Sequence, residues 1–129
     1  MTEGTGPIRV LLVEDNDVYR DSLVFLLARY EGLDVVGAVP DGSSAAPACA
    51  ELDAEVVVMD YRLPDIDGSE AADEVRERCP AATIVFLSAS AGRDEIDAAR
   101  RAGTAFVRKD EGVDTLVGAV RAAAGRIER

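Results

Sequence analysis

Five residues able to do chemistry stand where short apolar runs end. Glu14 and Asp15 follow Ile8 to Val13, Asp60 follows Glu55 to Met59, Ser88 follows Thr83 to Leu87, and Lys109 lies just beyond Ala105 to Val107. Three carboxylates held together repel one another, and left alone at least one of their pKa values rises. A hard divalent cation relieves that repulsion, and Mg2+ (or Mn2+) suits a few carboxylate oxygens plus waters. The Lys109 ammonium is a second positive charge, able to bind Asp60 at rest and a phosphoryl oxygen afterwards. Ser88 can donate a hydrogen bond to another phosphoryl oxygen. With the charge neutralised in this way, a carboxylate can attack phosphorus and form an acyl phosphate. The protein then contributes positioning and charge neutralisation. Each residue alone has a plainer reading. Glu14-Asp15 alone is a solvated loop, Asp60 a helix cap or a turn residue, and Lys109-Asp110 a surface pair worth little. Their joint placement after separate apolar runs is what points to a site.

For these residues to meet, the runs that carry them must lie side by side. Ile8 to Val13 is almost continuously apolar, as in a strand buried on both faces. Asp17 to Tyr30 has Val18, Leu23, Leu26, Leu27 and Tyr30 at helical spacing, and Gly32 breaks it. Asp34 to Val39 reads as a second strand and Ser43 to Leu52 as an alanine-rich helix, with Pro47 near its first turn. Glu55 to Met59 is a third strand ending on Asp60, Ser69 to Cys79 a helix stopped by Pro80, and Thr83 to Leu87 a fourth strand. Asp94 to Ala102 is a helix closed by Gly103, and Ala105 to Val107 a short fifth strand. Val113, Leu116, Val117, Val120, Ala124 and Ile127 mark a last amphipathic helix. Strands alternating with helices at this spacing predict an α/β doubly wound (βα)5 fold, a five-stranded parallel sheet with helices on both faces. In such sheets the site lies beyond the carboxyl ends of the strands, where the strand order reverses.

Composition narrows the chemistry further. The 129 residues suit one domain, expected over 8–126, with 1–7 a loose leader and 127–129 the end. No apolar run approaches the ~20 residues of a membrane span, and Met1 to Pro7 lacks a basic signal region. A cytoplasmic protein that does not engage a membrane is expected. A net charge of −11 opposes direct binding to nucleic acid. The chain has no histidine, which excludes a serine–histidine hydrolase and a zinc site built from Cys49 and Cys79. Those cysteines are expected as small buried thiols on helices.

Four segments resemble the receiver domains of bacterial response regulators, across about Ile8 to Ala124. They are Val10-Leu-Leu-Val-Glu-Asp15, Val57-Val-Met-Asp-Tyr-Arg-Leu-Pro-Asp-Ile-Asp-Gly68, Phe86-Leu-Ser-Ala89 and Arg101-Ala-Gly-Thr-Ala-Phe-Val-Arg-Lys109. The resemblance implies a flavodoxin-like receiver fold. It implies that a sensor histidine kinase or phosphotransfer protein phosphorylates Asp60. It implies Mg2+ held by Glu14, Asp15, Asp60 and the backbone carbonyl of Arg62, with a water-mediated role open for Glu14. Ser88 and Phe106 are the implied switch pair, Lys109 the implied phosphoryl ligand, and Arg62 and Ser90 the implied tuners of phosphate lifetime. A receiver is a signalling phosphoacceptor and no enzyme beyond its own phosphorylation and dephosphorylation. Ser88 stands where threonine is more usual, and Phe106 lacks a tyrosine hydroxyl. Asp110 stands where proline is frequent, so the Lys109–Asp110 peptide is expected to be trans. Lysine followed by aspartate resembles the receivers of regulators with helix-turn-helix output domains. The chain reads either as a stand-alone receiver or as a piece of a longer regulator.

Rival readings fare worse. A haloacid-dehalogenase-like phosphatase needs an aspartate at Arg62, and a flavodoxin needs a phosphate loop where Glu14-Asp15-Asn16-Asp17 would repel the flavin phosphate. A calcium loop around Asp65 to Gly68 would place Leu63 at its first ligand position. The remaining alternative is a degenerate receiver that binds partners without phosphorylation. The resemblance assigns output to the surface of the fourth helix, fifth strand and fifth helix, and kinase docking to the first helix near Val18 and Ser22. Arg93, Asp94, Glu95, Asp97, Arg100 and Arg101 mix charge on that output surface, suiting a homodimer, a separate output partner, or a plain solvated face.

Overall fold

The computed structural model describes residues 6–89, 92–101 and 104–125. Strands β1 (Ile8–Val13), β2 (Leu33–Val39), β3 (Val56–Asp60), β4 (Thr83–Ser88) and β5 (Ala105–Arg108) alternate with helices α1 (Asp17–Leu27), α2 (Ala45–Leu52), α3 (Gly68–Arg78), α4 (Arg93–Arg101) and α5 (Val113–Ala123). All pairings are parallel, in the order β2-β1-β3-β4-β5. The chain leaves β1 toward one edge and returns to β3 on its other side. The order therefore reverses between β1 and β3, where Glu14 and Asp60 emerge.

Each central strand feeds two cores because successive side chains point to opposite faces. Val10, Leu12, Val56, Val58, Val85 and Leu87 pack with Leu23, Leu27, Leu116, Val117 and Val120 of α1 and α5. Leu11, Val13, Val57, Met59, Ile84 and Phe86 pack with Ala46, Cys49, Ala72, Val75 and Ala99 of α2, α3 and α4. That double burial is why these strands read as nearly unbroken apolar runs.

Local signals set the helix starts. Asn16 caps α1 by accepting from the Tyr19 amide, and Asp67 caps α3 by accepting from the Glu70 amide. Gly32, at φ +86°, turns the chain into β2. Among the described residues no peptide is cis, so Lys109–Asp110 is trans as expected.

Several expectations need correction. Val18, grouped with the buried stripe of α1, is 77% exposed, and Leu26 is 38% exposed. The stripe that meets the sheet runs through Tyr19, Leu23, Leu27 and Tyr30 instead. Tyr19 lies four residues before Leu23 and eight before Leu27, and that spacing puts it, not Val18, on the inward face. The second helix opens as a separate 3-10 turn at Gly42–Ser44. Both cysteines are free, but only Cys49 is buried; Cys79 is half-buried and caps the end of α3. Burial, then the neighbouring Cys79 thiol, pushes the Cys49 pKa up to about 12, which disfavours its thiolate. Ser90, Arg126 and Ile127 lie outside the described residues.

Candidate functional site

Strand parity decides which side chains meet. Glu14 continues the β1 positions Val10 and Leu12, Asp60 continues Val56 and Val58, and Lys109 follows Val107 by two residues. All three project toward the α1–α5 side. There Lys109 Nζ lies 2.8 Å from Glu14 Oε1 and 3.1 Å from Asp60 Oδ2. Asp60 Oδ1 accepts from the Arg62 amide at 2.9 Å, so both oxygens of this carboxylate are engaged. Lys109 is held at this depth by a 3-10 turn, Lys109–Glu111, which the Arg108 amide closes by donating to Glu111 Oε1 at 2.7 Å. Asp110 is exposed and pairs with Arg108 at 3.0 Å. Lys109 and Asp110 are thus no surface pair, since the lysine points into the cluster.

Glu14 is 2% exposed. Its Oε2 accepts from the Asn16 amide at 3.0 Å, and its backbone carbonyl accepts from Arg20 Nη1 at 2.7 Å. Its Oε1 has the ion pair with Lys109 but no aligned hydrogen-bond donor among the described residues. The Lys109 ammonium is thus the one cationic partner of this buried oxygen among the described residues. Burial raises the Glu14 pKa, and Asp60 adds to the rise, against the lowering pull of Lys109 and the Asn16 amide. Desolvation pulls the Lys109 pKa down, yet Glu14 and Asp60 overcome it and the net shift is upward.

Asp15 is exposed beside this pair, and one oxygen each from Glu14, Asp15 and Asp60 lies within 4.8 Å of the others. The donor set is all carboxylate oxygen, and one of its buried oxygens lacks a donor. It therefore fits a hard divalent cation such as Mg2+.

Ser88 and Phe106 fall on the opposite parity. Ser88 is fully buried at the end of β4, one register step beyond the Asp60–Leu87 pair. Phe106 pairs with Phe86 in the sheet and is half-buried. Its ring lies 6.3 Å from Phe86 and 5.9 Å from Tyr61, which itself sits edge-on to Phe86 at 5.0 Å. Arg62 is exposed in the loop after β3. Sequence reasoning passed over Asn16, Tyr19, Arg20 and Tyr61. For Tyr19 a signal was present in its spacing of four from Leu23 and eight from Leu27.

Residues 10–121 match the response regulator receiver domain family. The chain belongs to that family. Among its relatives is the transcriptional regulatory protein PdtaR of Mycobacterium tuberculosis, 36% identical over 93% of this receiver and 58% of that protein. The response regulator GacA of Pseudomonas aeruginosa is 32% identical over 88% of this receiver and 54% of GacA. The receiver thus spans little more than half the length of either. Among solved structures, the signal receiver domain of NarL from Mycobacterium tuberculosis superposes with a TM-score of 0.85 at 27% identity, covering 93% of this receiver and 98% of that chain. A LuxR-family two-component response regulator from Aurantimonas sp. SI85-9A1 gives 0.86 at 29% identity, covering 95% and 89%. The flavodoxin-like fold and the likeness to receivers of helix-turn-helix regulators both agree with the sequence reading.

Proposed function

We propose that this receiver accepts a phosphoryl group on Asp60 from a sensor histidine kinase or phosphotransfer protein of a two-component system. The observation that carries this reading is the Asp60 carboxylate at the reversal point of the sheet, with an ammonium 3.1 Å away and two further carboxylates within 4.8 Å. In the transfer a carboxylate oxygen of Asp60 forms a bond to phosphorus. The P–N bond to the donor imidazole breaks, its electron pair stays on nitrogen, and the ring leaves neutral after taking up a proton. Glu14, Asp15, Asp60 and the Arg62 carbonyl would hold Mg2+ or Mn2+, which supplies positive charge against the crowded carboxylates and the phosphoryl oxygens. Lys109 lets go of Asp60 Oδ2 and takes up a phosphoryl oxygen, and Ser88 donates to another.

Relayed from the site, the change reaches the α4–β5–α5 surface through Ser88 and Phe106, the half-buried ring among Tyr61 and Phe86. That surface engages an output domain, a separate partner or a second copy of the chain. Arg62 and Ser90 tune the lifetime of the acyl phosphate. The chain acts in the cytoplasm. Among the described residues no helix is long and apolar enough to cross a membrane.

The test is intact mass after incubation with phosphoramidate, with and without Mg2+, beside Asp60→Asn. A gain of one phosphoryl group that needs both Mg2+ and Asp60 is expected. No gain in any condition points to a degenerate receiver that binds partners without phosphorylation.

A further inference from the structure

Tyr19 sits in the first turn of α1, and its backbone is fixed because its amide donates to the Asn16 cap at 2.8 Å. Its ring is half-buried, and Lys109 Nζ stands 4.3 Å from the ring centroid. This is within the range of a cation–π contact. The same ammonium touches Glu14 and Asp60, and the Lys109 side chain is 18% exposed. Three groups from three segments therefore surround one flexible side chain. Lysine has large rotamer entropy, so a ligand lysine benefits from being held in place before its substrate arrives. Two of its holders, Glu14 and Asp60, change their charge environment when a phosphoryl group and a cation enter. The tyrosine ring does not.

A π-face also lacks fixed lone-pair directions, so it can keep hold of an ammonium through a short displacement. Tyr19 and Lys109 both border a cavity of about 160 Å³, shared with Leu23, Leu26, Leu87 and Leu116. Ring and ammonium stem therefore share open space beside their contact.

We infer that Tyr19 is a positioning residue for phosphoryl transfer, its ring face holding the Lys109 ammonium beside the carboxylates and steadying it as it moves from Asp60 to the phosphoryl group. The inference rests on the phosphoacceptor reading of Asp60. Were Tyr19 merely a core residue of α1, leucine would serve as well as an aromatic ring.

Tyr19→Phe and Tyr19→Leu in the full chain separate these roles. In the metal-free protein, the ε-methylene protons of Lys109 should show a ring-current shift that Tyr19→Phe keeps and Tyr19→Leu loses. With phosphoramidate and saturating Mg2+, Tyr19→Phe should be phosphorylated within about twofold of the wild-type rate and Tyr19→Leu about three- to tenfold more slowly. In a Lys109→Ala background, Tyr19→Leu should cost nothing further. A wild-type rate in Tyr19→Leu, an equal loss in Tyr19→Phe, or an undiminished loss without Lys109 would each overturn the positioning role while leaving Asp60 as acceptor. A wild-type chain that gains no phosphoryl group would refute the acceptor reading and this inference with it.

Discussion

Glu14 carries the main conflict between stability and function. It is buried beside Asp60, and the net effect of its surroundings disfavours its charge. A carboxyl whose folded pKa is raised favours the fold below its unfolded pKa and loses that advantage as pH rises through the folded value. Above its unfolded pKa Glu14 therefore costs stability. Glu14→Gln, a neutral isostere, is expected to raise the urea midpoint of the metal-free protein at about pH 7 and to weaken Mg2+ binding on the order of tenfold. Denaturation with and without Mg2+, and a Mg2+ titration, check both halves. Asp65 has the opposite sign. Its carboxylate accepts from the Gly42 and Ser43 amides, each at 2.9 Å. Hydrogen bonds from the Ser43 side chain and from these amides hold its pKa far below the ordinary 3.8. Its contribution is thus present above 3.8 and lost as pH falls below it. Asp65→Ala should lower the urea midpoint near neutrality, and the gap from wild type should close in strong acid.

At the scale of elements, the β3–α3 connection sets where Asp60 and Arg62 sit. The Gly68 amide donates to the Tyr61 carbonyl at 2.8 Å. A Cβ at Gly68 would stand 2.7 Å from the Tyr61 Cα and 2.8 Å from its carbonyl oxygen, a clash with backbone that cannot swing aside. Gly68→Ala should therefore destabilise the fold by about 1–3 kcal/mol, measured by urea denaturation, with Asp60 phosphorylation slowed as the loop shifts. The same scale shows what was legible in the sequence. The strands were, because burial on both faces writes an apolar run that ends where its strand ends, and those ends bring Glu14, Asp60 and Lys109 together. Helix faces were less legible. Val18 and Tyr19 are adjacent and both apolar enough to pack, but Tyr19 lies four and eight residues before the buried Leu23 and Leu27, so it turns inward to Lys109 while Val18 faces solvent. The roles of Asp65 and Asp67 were hidden for a different reason. Each binds amides of a turn or helix start that exists only once the chain has folded.

For the whole molecule, the order β2-β1-β3-β4-β5 makes one reversal, and the acidic cluster lies at it. With a net charge of −11, the chain by itself should give no mobility shift with duplex DNA at about 0.15 M salt. A salt-dependent shift would contradict that expectation. The central claim is that Asp60 carries the phosphoryl group, and the most direct measurement locates it. After treatment with phosphoramidate and Mg2+, borohydride reduction converts an aspartyl phosphate to homoserine, and tandem mass spectrometry reads which residue has changed. The account predicts homoserine at position 60 alone. Homoserine at another aspartate, or an unreduced phosphate on serine or threonine, would contradict it.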